Sequence, residues 1–282
     1  MSDETIEMQP WDERPKFAAL NTAANILYNS QLAGRPSPSI HEQIARYSSE
    51  GATEVLLENY RRGVAEERRL AARVSRIHAS GRNVFGYLYS DSIHGSGQSI
   101  PANHMVNPLL SPVLALAVQQ KLEHPDVNPA KILASCNSVF FGLLISSQRS
   151  EKYEKISYLE CLADNAQATH LVIAPQHQPL AGFDFDSHVA TLTQQDAELA
   201  GHPAQYNLAP NALAHLTESV RESILHLGPV EPGELLILPG TAKPMPFPLD
   251  ATASARAIEF GTSRATHASA EFEEGFIPLE SV

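Results

Sequence analysis

Two predominantly apolar stretches, Leu109–Val118 and Ile132–Ile145, constrain what this chain can fold into more than any other feature. A membrane-spanning helix needs about 20 apolar residues in a row. Both stretches fall short of that, and the second also carries Ser135, Asn137 and Ser138. They therefore belong in the interior of a folded domain. Ser111 followed by Pro112, and Asn128 followed by Pro129, have the form of a helix N-cap and its first-turn proline. On that form the sequence predicts two buried helices, one reaching about Glu123 and the other about Ser147.

The remaining pattern points the same way. Helical spacing of apolar residues predicts helices over Phe17–Leu32, Thr53–Ser80, Glu151–Ala166 and Pro210–Leu227, with short ones near Ser39–Ser49 and Gln194–Ala200. In Thr53–Ser80, Leu56, Tyr60, Gly63, Glu67, Leu70, Val74 and Ile77 recur at four- and three-residue steps, an apolar seam with one polar defect at Glu67. Strands are expected at Asn83–Tyr89, Thr169–Ala174 and Glu234–Leu238. Helix and strand do not alternate as in a βαβ fold. The expected class is α+β, mainly helical, with about seven helices, a few short strands and extended terminal arms. The expected organisation is a polar tail over 1–15, one globular domain over 16–240 and an extended arm over 241–282.

Composition narrows the function classes. With 43% hydrophobic residues and 18% charged, a chain of 282 residues has enough apolar surface for a sizeable core. The formal net charge of −12 argues against broad nucleic-acid or membrane-surface binding, since both targets are anionic. Two cysteines, Cys136 and Cys161, fit a reducing compartment rather than a secreted disulfide framework. Residues 1–14 lack the character of a signal peptide. The expected location is cytoplasmic or within an assembled particle.

The basic residues are concentrated. Seven of the fourteen arginines lie between Arg61 and Arg82, and on the expected long helix Arg62, Arg69, Arg73 and Arg76 would share one face. Guanidinium groups pair bidentately with carboxylates and phosphates, so this face is a candidate for binding an acidic protein segment. The C-terminal arm supplies such a segment. It carries Glu271, Glu273, Glu274 and Glu280, with Phe272, Phe276, Ile277 and Leu279 as apolar anchors for pockets on a neighbouring subunit.

His94-Gly95-Ser96, after an expected strand, is the best enzyme-like fragment. It resembles the His-Gly-Ser/Thr tripeptide of some NAD-dependent ADP-ribosyltransferases, and the resemblance implies His94 at a nucleotide site with Glu234 as the strand-borne glutamate. No metal-ligand spacing, phosphate loop or nucleophile elbow is present; His124-Pro125-Asp126 reads as a turn, and no cofactor is expected. The sequence thus leans away from an enzyme. It points to a structural or assembly subunit of a larger, even virion-like, particle, working through other protein subunits and forming a homo-oligomer, with the His94 enzyme as the alternative.

Overall fold

The computed structural model describes residues 14–101, 104–151, 155–185, 190–194, 204–206, 209–240, 245–246, 258–262 and 267–272. Three helices open the chain: α1 (Arg14–Ala33), α2 (His41–Ile44) and α3 (Ser48–Ala65). Strands β1 (Leu70–Ile77), β2 (Asn83–Tyr89), β3 (Ile93–Gly95), β4 (Ser99–Ile100) and β5 (Pro108–Val118) follow. Then come α4 (Pro129–Ser135), β6 (Cys136–Ser147), α5 (Tyr158–Ala163), β7 (Ala168–Pro179), β8 (Ala190–Gln194) and β9 (Ala204–Tyr206). The chain continues through α6 (Ala212–Leu227), β10 (Leu235–Ile237), β11 (Met245–Pro246), β12 (Ile258–Thr262) and β13 (His267–Phe272).

The central element is a curled sheet with strand order β2-β1-β10-β5-β6-β7-β3, to which β11 adds on β5. Its ladders are antiparallel except β1 with β10 and β3 with β7. The curl is tight enough to bring β2, at one end, against β7, near the other. Residues alternate between the two faces of a strand. The face inside the curl carries Ala72 and Val74 of β1, Leu88 of β2, Val113 and Ala115 of β5, Leu144 of β6, Leu171 of β7, and Leu235 and Ile237 of β10. Among the described residues strands alone supply this cluster, and its buried members are Ala, Val, Leu and Ile. The opposite face packs on α4 and α6, and the outer side of β2 packs under α1, α3 and α5. A second sheet, in the order β4-β13-β12-β8-β9, lies against β6 and β7.

This corrects the mainly helical expectation. The two apolar stretches that read as buried helices are β5 and β6, the longest neighbouring pair of the sheet. A continuous apolar run suits a strand buried on both faces as well as a helix buried on all sides, and periodicity does not separate them. The Asn128-Pro129 cap is real: the Asn128 side chain accepts from Lys131 N at 2.9 Å, but the helix it opens ends at Ser135. The expected helix over Thr53–Ser80 is α3 followed by β1, broken at Glu67, whose φ is +62°. The expected Glu151–Ala166 helix shrinks to α5, capped by Ser157 and Glu160 in a capping box. Within the expected structureless arm, β12 and β13 pair with β8 and β4 of the same chain. The helix expected at Gln194–Ala200 lies, past Gln194, outside the described residues.

Rebuilding β1 as a strand dissolves the arginine stripe. Arg62 stays on α3, in reach of Glu58 and Asn25. Arg69 sits in the connection. Arg73 is 2% exposed and ion-paired with Glu234 at 2.7 Å. It also donates to the carbonyls of Ser223 and Pro229, so it ties β1, β10 and the C-terminal end of α6 together.

The curl is fastened by one turn, residues 165–167, where Asn165, Ala166 and Gln167 all have positive φ (+54°, +52° and +62°). The Asn165 side chain acts as a substitute strand: its Oδ1 accepts from Tyr87 N at 2.8 Å, and its Nδ2 donates to the carbonyls of Tyr87 and Ala168. It thereby joins the free edge of β2 to the start of β7. Gly86 makes the approach possible, since a Cβ there would stand 2.6 Å from Asn165 O. Asn165→Asp keeps the shape but turns two donated bonds into oxygen–oxygen contacts, and is expected to lower unfolding stability by about 3 kcal/mol in urea titrations. Gly86→Ala should cost about 1–3 kcal/mol, and the double variant less than the sum, because both break the same junction. An Asn165→Asp protein within about 0.5 kcal/mol of the parent would show that the junction is not what closes the sheet.

Candidate functional site

The curl leaves a cleft of about 120 Å³ at one mouth, where β1, β5 and β6 end near the chain after β10. Its polar lining consists of Arg76, Ser75, Ser111 and Ser146, over a floor that includes Val113 and Leu144. Register explains the grouping: Ser111 is paired with Leu144 and Leu109 with Ser146, so the two serines continue the inner face of Val113 and Leu144 toward the mouth. Arg76 continues the inner face of Ala72 and Val74 on β1.

Arg76 is held from one side only. Its Nη1 donates to Ala166 O at 3.0 Å and to Gln167 Oε1 at 3.1 Å, so the strained turn that closes the sheet also fixes the guanidinium. Nε and Nη2, the edge that grips a carboxylate with two parallel bonds, have no partner among the described residues, and no carboxylate there lies within ion-pair distance. Gln167 is 2% exposed, and its Nε2 has no acceptor among the described residues. The hydroxyls of Ser111 and Ser146 also have no hydrogen-bond partner there, while Ser75 is occupied by Asn83 and Ser219. The cleft thus gathers a cation, which contacts the buried amide of Gln167, and two hydroxyls, with no anion among the described residues to satisfy them. Backbone strain and unsatisfied buried donors concentrate where a ligand completes a structure.

On the other side of the same turn, Arg149 Nε lies 2.6 Å from Asp164 Oδ1, both groups being almost wholly buried, though off the line of a good hydrogen bond. Burial pushes the Asp164 carboxyl up to about 6, against the pull of Arg149. Arg149 also bonds Gln31 Oε1 and Asp164 O, and so braces the turn from behind.

The sequence-predicted sites are scattered. Of Arg62, Arg69, Arg73 and Arg76, Arg76 alone reaches the cleft. His94 lies on β3, separated by three strands from β10, whose entrance holds Glu234, and Glu234 is committed to Arg73; the two do not form one site. Phe272 ends β13, where its Cα pairs with Ile100, and Phe276, Ile277 and Leu279 lie outside the described residues. Ser111, Ser146 and Gln167 were missed because Ser111 read as a helix cap and Ser146 fell inside the helix expected to reach about Ser147. The available signal was the alternation of β5, where Ser111, Val113, Ala115 and Ala117 share one face.

His94 has a different neighbour. Its Nε2 lies 3.0 Å from His170 Nδ1 across the β3–β7 ladder. Burial, helped by His94, holds His170 down at about 4, and burial lowers His94 as well. An unfolded histidine takes its proton near 6.5, whereas folded His170 resists until about 4. Its contribution to stability is complete above pH 6.5 and is lost as pH falls toward 4, on the order of 3 kcal/mol. Asp164 works in the opposite sense, because its folded carboxyl binds a proton more readily than the unfolded one. His170→Gln leaves Asp164 in place, so the stability lost between pH 7 and 4.5 should shrink by about 1–3 kcal/mol relative to the parent in chemical denaturation at the two pH values. Equal losses in the two proteins would remove His170 as the acid-sensitive group.

No protein-family model matches the chain. By sequence it is 23% identical over 188 residues to the 2-keto-4-pentenoate hydratase 2 of Dechloromonas aromatica (strain RCB), a match that covers 64% of this chain and 71% of that protein. By structure it is similar to 4-oxalocrotonate decarboxylase from Pseudomonas putida G7. The form complexed with magnesium and adipate superposes with a TM-score of 0.73 at 15% identity, over 91% of this chain and 98% of that one. The form complexed with calcium and acetate gives 0.74 at 15% identity, over 94% and 99%. The chain has the decarboxylase fold, a curled sheet flanked by helices. These likenesses overturn the reading as a structural or virion-type assembly subunit, and with it the ADP-ribosyltransferase alternative, because the scaffold and the sequence relative are those of metabolic enzymes. Among the described residues, no helix is long and apolar enough to cross a membrane.

Proposed function

We propose that this protein acts on a small 2-oxo carboxylic acid, bound at the mouth of the curled sheet. The observation that carries the reading is the uncommitted Nε–Nη2 edge of Arg76 in a cleft that also offers the hydroxyls of Ser111 and Ser146 as donors. A planar carboxylate is the partner that satisfies such an edge with two parallel bonds. The neighbouring hydroxyls suit the 2-oxo oxygen. A cleft of about 120 Å³ has room for an acid of metabolite size. The sequence relative is named for a 2-keto acid, and the structural relative was solved with adipate and with acetate, which are carboxylates.

Addition of water to an unsaturated 2-oxo acid, and loss of CO₂ from a distal carboxylate conjugated through C=C with the 2-oxo group, share one electronic demand. Negative charge grows on the carbonyl oxygen as the enolate forms. A fixed guanidinium and hydroxyl donors stabilise that charge without having to reorganise, because the turn and the sheet already hold them. In this reading Arg76 orients the acid and Ser111 and Ser146 share the developing charge.

A panel of C3 to C6 2-oxo acids, titrated by calorimetry, tests the reading. At least one is expected to bind the parent protein. Arg76→Lys keeps the charge but loses the two-pronged edge, and should weaken that binding by about 10- to 100-fold. Ser111→Ala, which leaves the turn untouched, should weaken it by about fivefold. Absence of binding across the panel, or binding indifferent to both substitutions, would refute the assignment.

A further inference from the structure

The decarboxylase structures that share this fold were obtained with magnesium or calcium. A protein site for either ion is built from oxygen ligands: Ca²⁺ takes six to eight, carboxylates among them, and Mg²⁺ takes at least one or two carboxylates beside its waters. The residues at the mouth of this sheet do not fit such an ion. Register fixes the side chains on the inner face, and toward this mouth, along β1, β5, β6, β7 and β10, they are Ala, Val, Leu, Ile, Gly, Ser and Arg, without a carboxylate; the imidazole of His177 shares the face but stands beside Phe140, toward the other end of β6. The side-chain oxygens of the cleft are three uncharged serine hydroxyls, one of them, Ser75, already engaged by Asn83 and Ser219. Across the described residues as a whole, no group of three His, Cys, Asp or Glu side chains comes together that could hold a metal ion.

A second observation bears on the same point. The cleft already has a positive charge, Arg76, without a carboxylate within ion-pair distance among the described residues. A dication placed in the same 120 Å³ would meet a guanidinium with nothing between them to offset the repulsion.

We infer that the mouth of this sheet takes its acid without a divalent cation, Arg76 supplying the positive charge that an ion would otherwise bring. The inference rests on the 2-oxo acid reading for the identity of the ligand, but its cation half is tested on its own. EDTA-treated full-length protein is titrated by calorimetry with MgCl₂ alone and with CaCl₂ alone. The same protein is then titrated with the best-binding 2-oxo acid, in EDTA and in millimolar MgCl₂.

Neither salt is expected to give saturable binding, and the acid is expected to bind with equal affinity, within about twofold, in EDTA and in magnesium. Arg76→Gln should abolish acid binding without creating a cation site, and its unchanged far-ultraviolet dichroism shows whether it has folded. Where Arg76→Gln does not fold, Arg76→Lys serves for the same comparison. One-site binding of either cation at micromolar strength overturns the inference, as does an acid affinity that rises about tenfold or more with magnesium. Silence toward both salts and toward every acid removes the 2-oxo acid reading while leaving the rejection of cations standing, so the two failures are told apart.

Discussion

One asparagine side chain decides whether this sheet is open or curled. Left alone, β2 would present a bare edge, with the N–H and C=O of Tyr87 facing outward, and an unpaired edge invites a foreign strand. Asn165 meets both groups of Tyr87 with its amide and ties them to Ala168 at the start of β7. Closure sets the inner diameter, and the diameter sets what the interior accepts. That is why the enclosed cluster is Ala, Val, Leu and Ile drawn from strands alone, and why larger aromatic residues of β2, Tyr87 and Tyr89, face out beneath α3. The three left-handed residues of the turn are strained for non-glycine side chains, at about 1 kcal/mol or more each. The hydrogen bonds of Asn165, together with the Arg149–Asp164 pair behind it, offset that strain.

The buried charges then divide into two kinds. Arg73 and Arg149 each have a buried carboxylate partner, at 2.7 and 2.6 Å, and each also reaches backbone carbonyls. Such pairs fix geometry more than they add stability, since desolvation consumes much of the Coulomb energy, whereas removing one partner is costly. Arg76 belongs to the other kind. It is anchored by neutral acceptors through Nη1 and keeps its charge and its two-pronged edge for something outside the described structure. The difference between an ion-paired arginine and one with an unengaged edge among the described residues, Arg73 against Arg76 on one strand, follows from which face each occupies: Arg73 points out toward α6, and Arg76 points into the curl.

The sequence made the outer helices legible and the sheet illegible, for a physical reason. Helix α6, with Leu216, Val220 and Ile224 inward, has one wet face and one dry one, so its period shows. Strand β2 was readable for its aromatic and β-branched residues. Strands β5 and β6 are dry on both faces, so their period-two alternation has no polar half to reveal it, and proline and asparagine near their ends imitated helix caps. Helix α3 and β1 merged into one expected helix because Leu70, Val74 and Ile77 fit a four-three step as well as they fit a strand. From that single error came the stripe of four arginines, and with it the idea of an acidic arm docking on them. Of the candidate site, Arg76 was singled out, but as one of a surface row. Ser111, Ser146 and Gln167 become a group only through pairings between residues up to about 90 positions apart, which no local pattern carries.

The cleft and the closure share one part. Residues 164–167 bond in three directions: Asp164 back to Arg149, Asn165 across to β2 and β7, and Ala166 and Gln167 forward to Arg76. A ligand that gripped Arg76 and gave Gln167 Nε2 an acceptor would therefore reach the group that closes the sheet. Mass action requires that anything binding the closed form more tightly than the open one also stabilises closure. The strain in the turn thus has a counterpart in the empty hydrogen-bonding capacity beside it. On the proposed reading, an acid bound at the mouth would satisfy the donor edge that the turn holds in place, and the same turn would keep Arg76 rigid enough to favour a planar carboxylate over water.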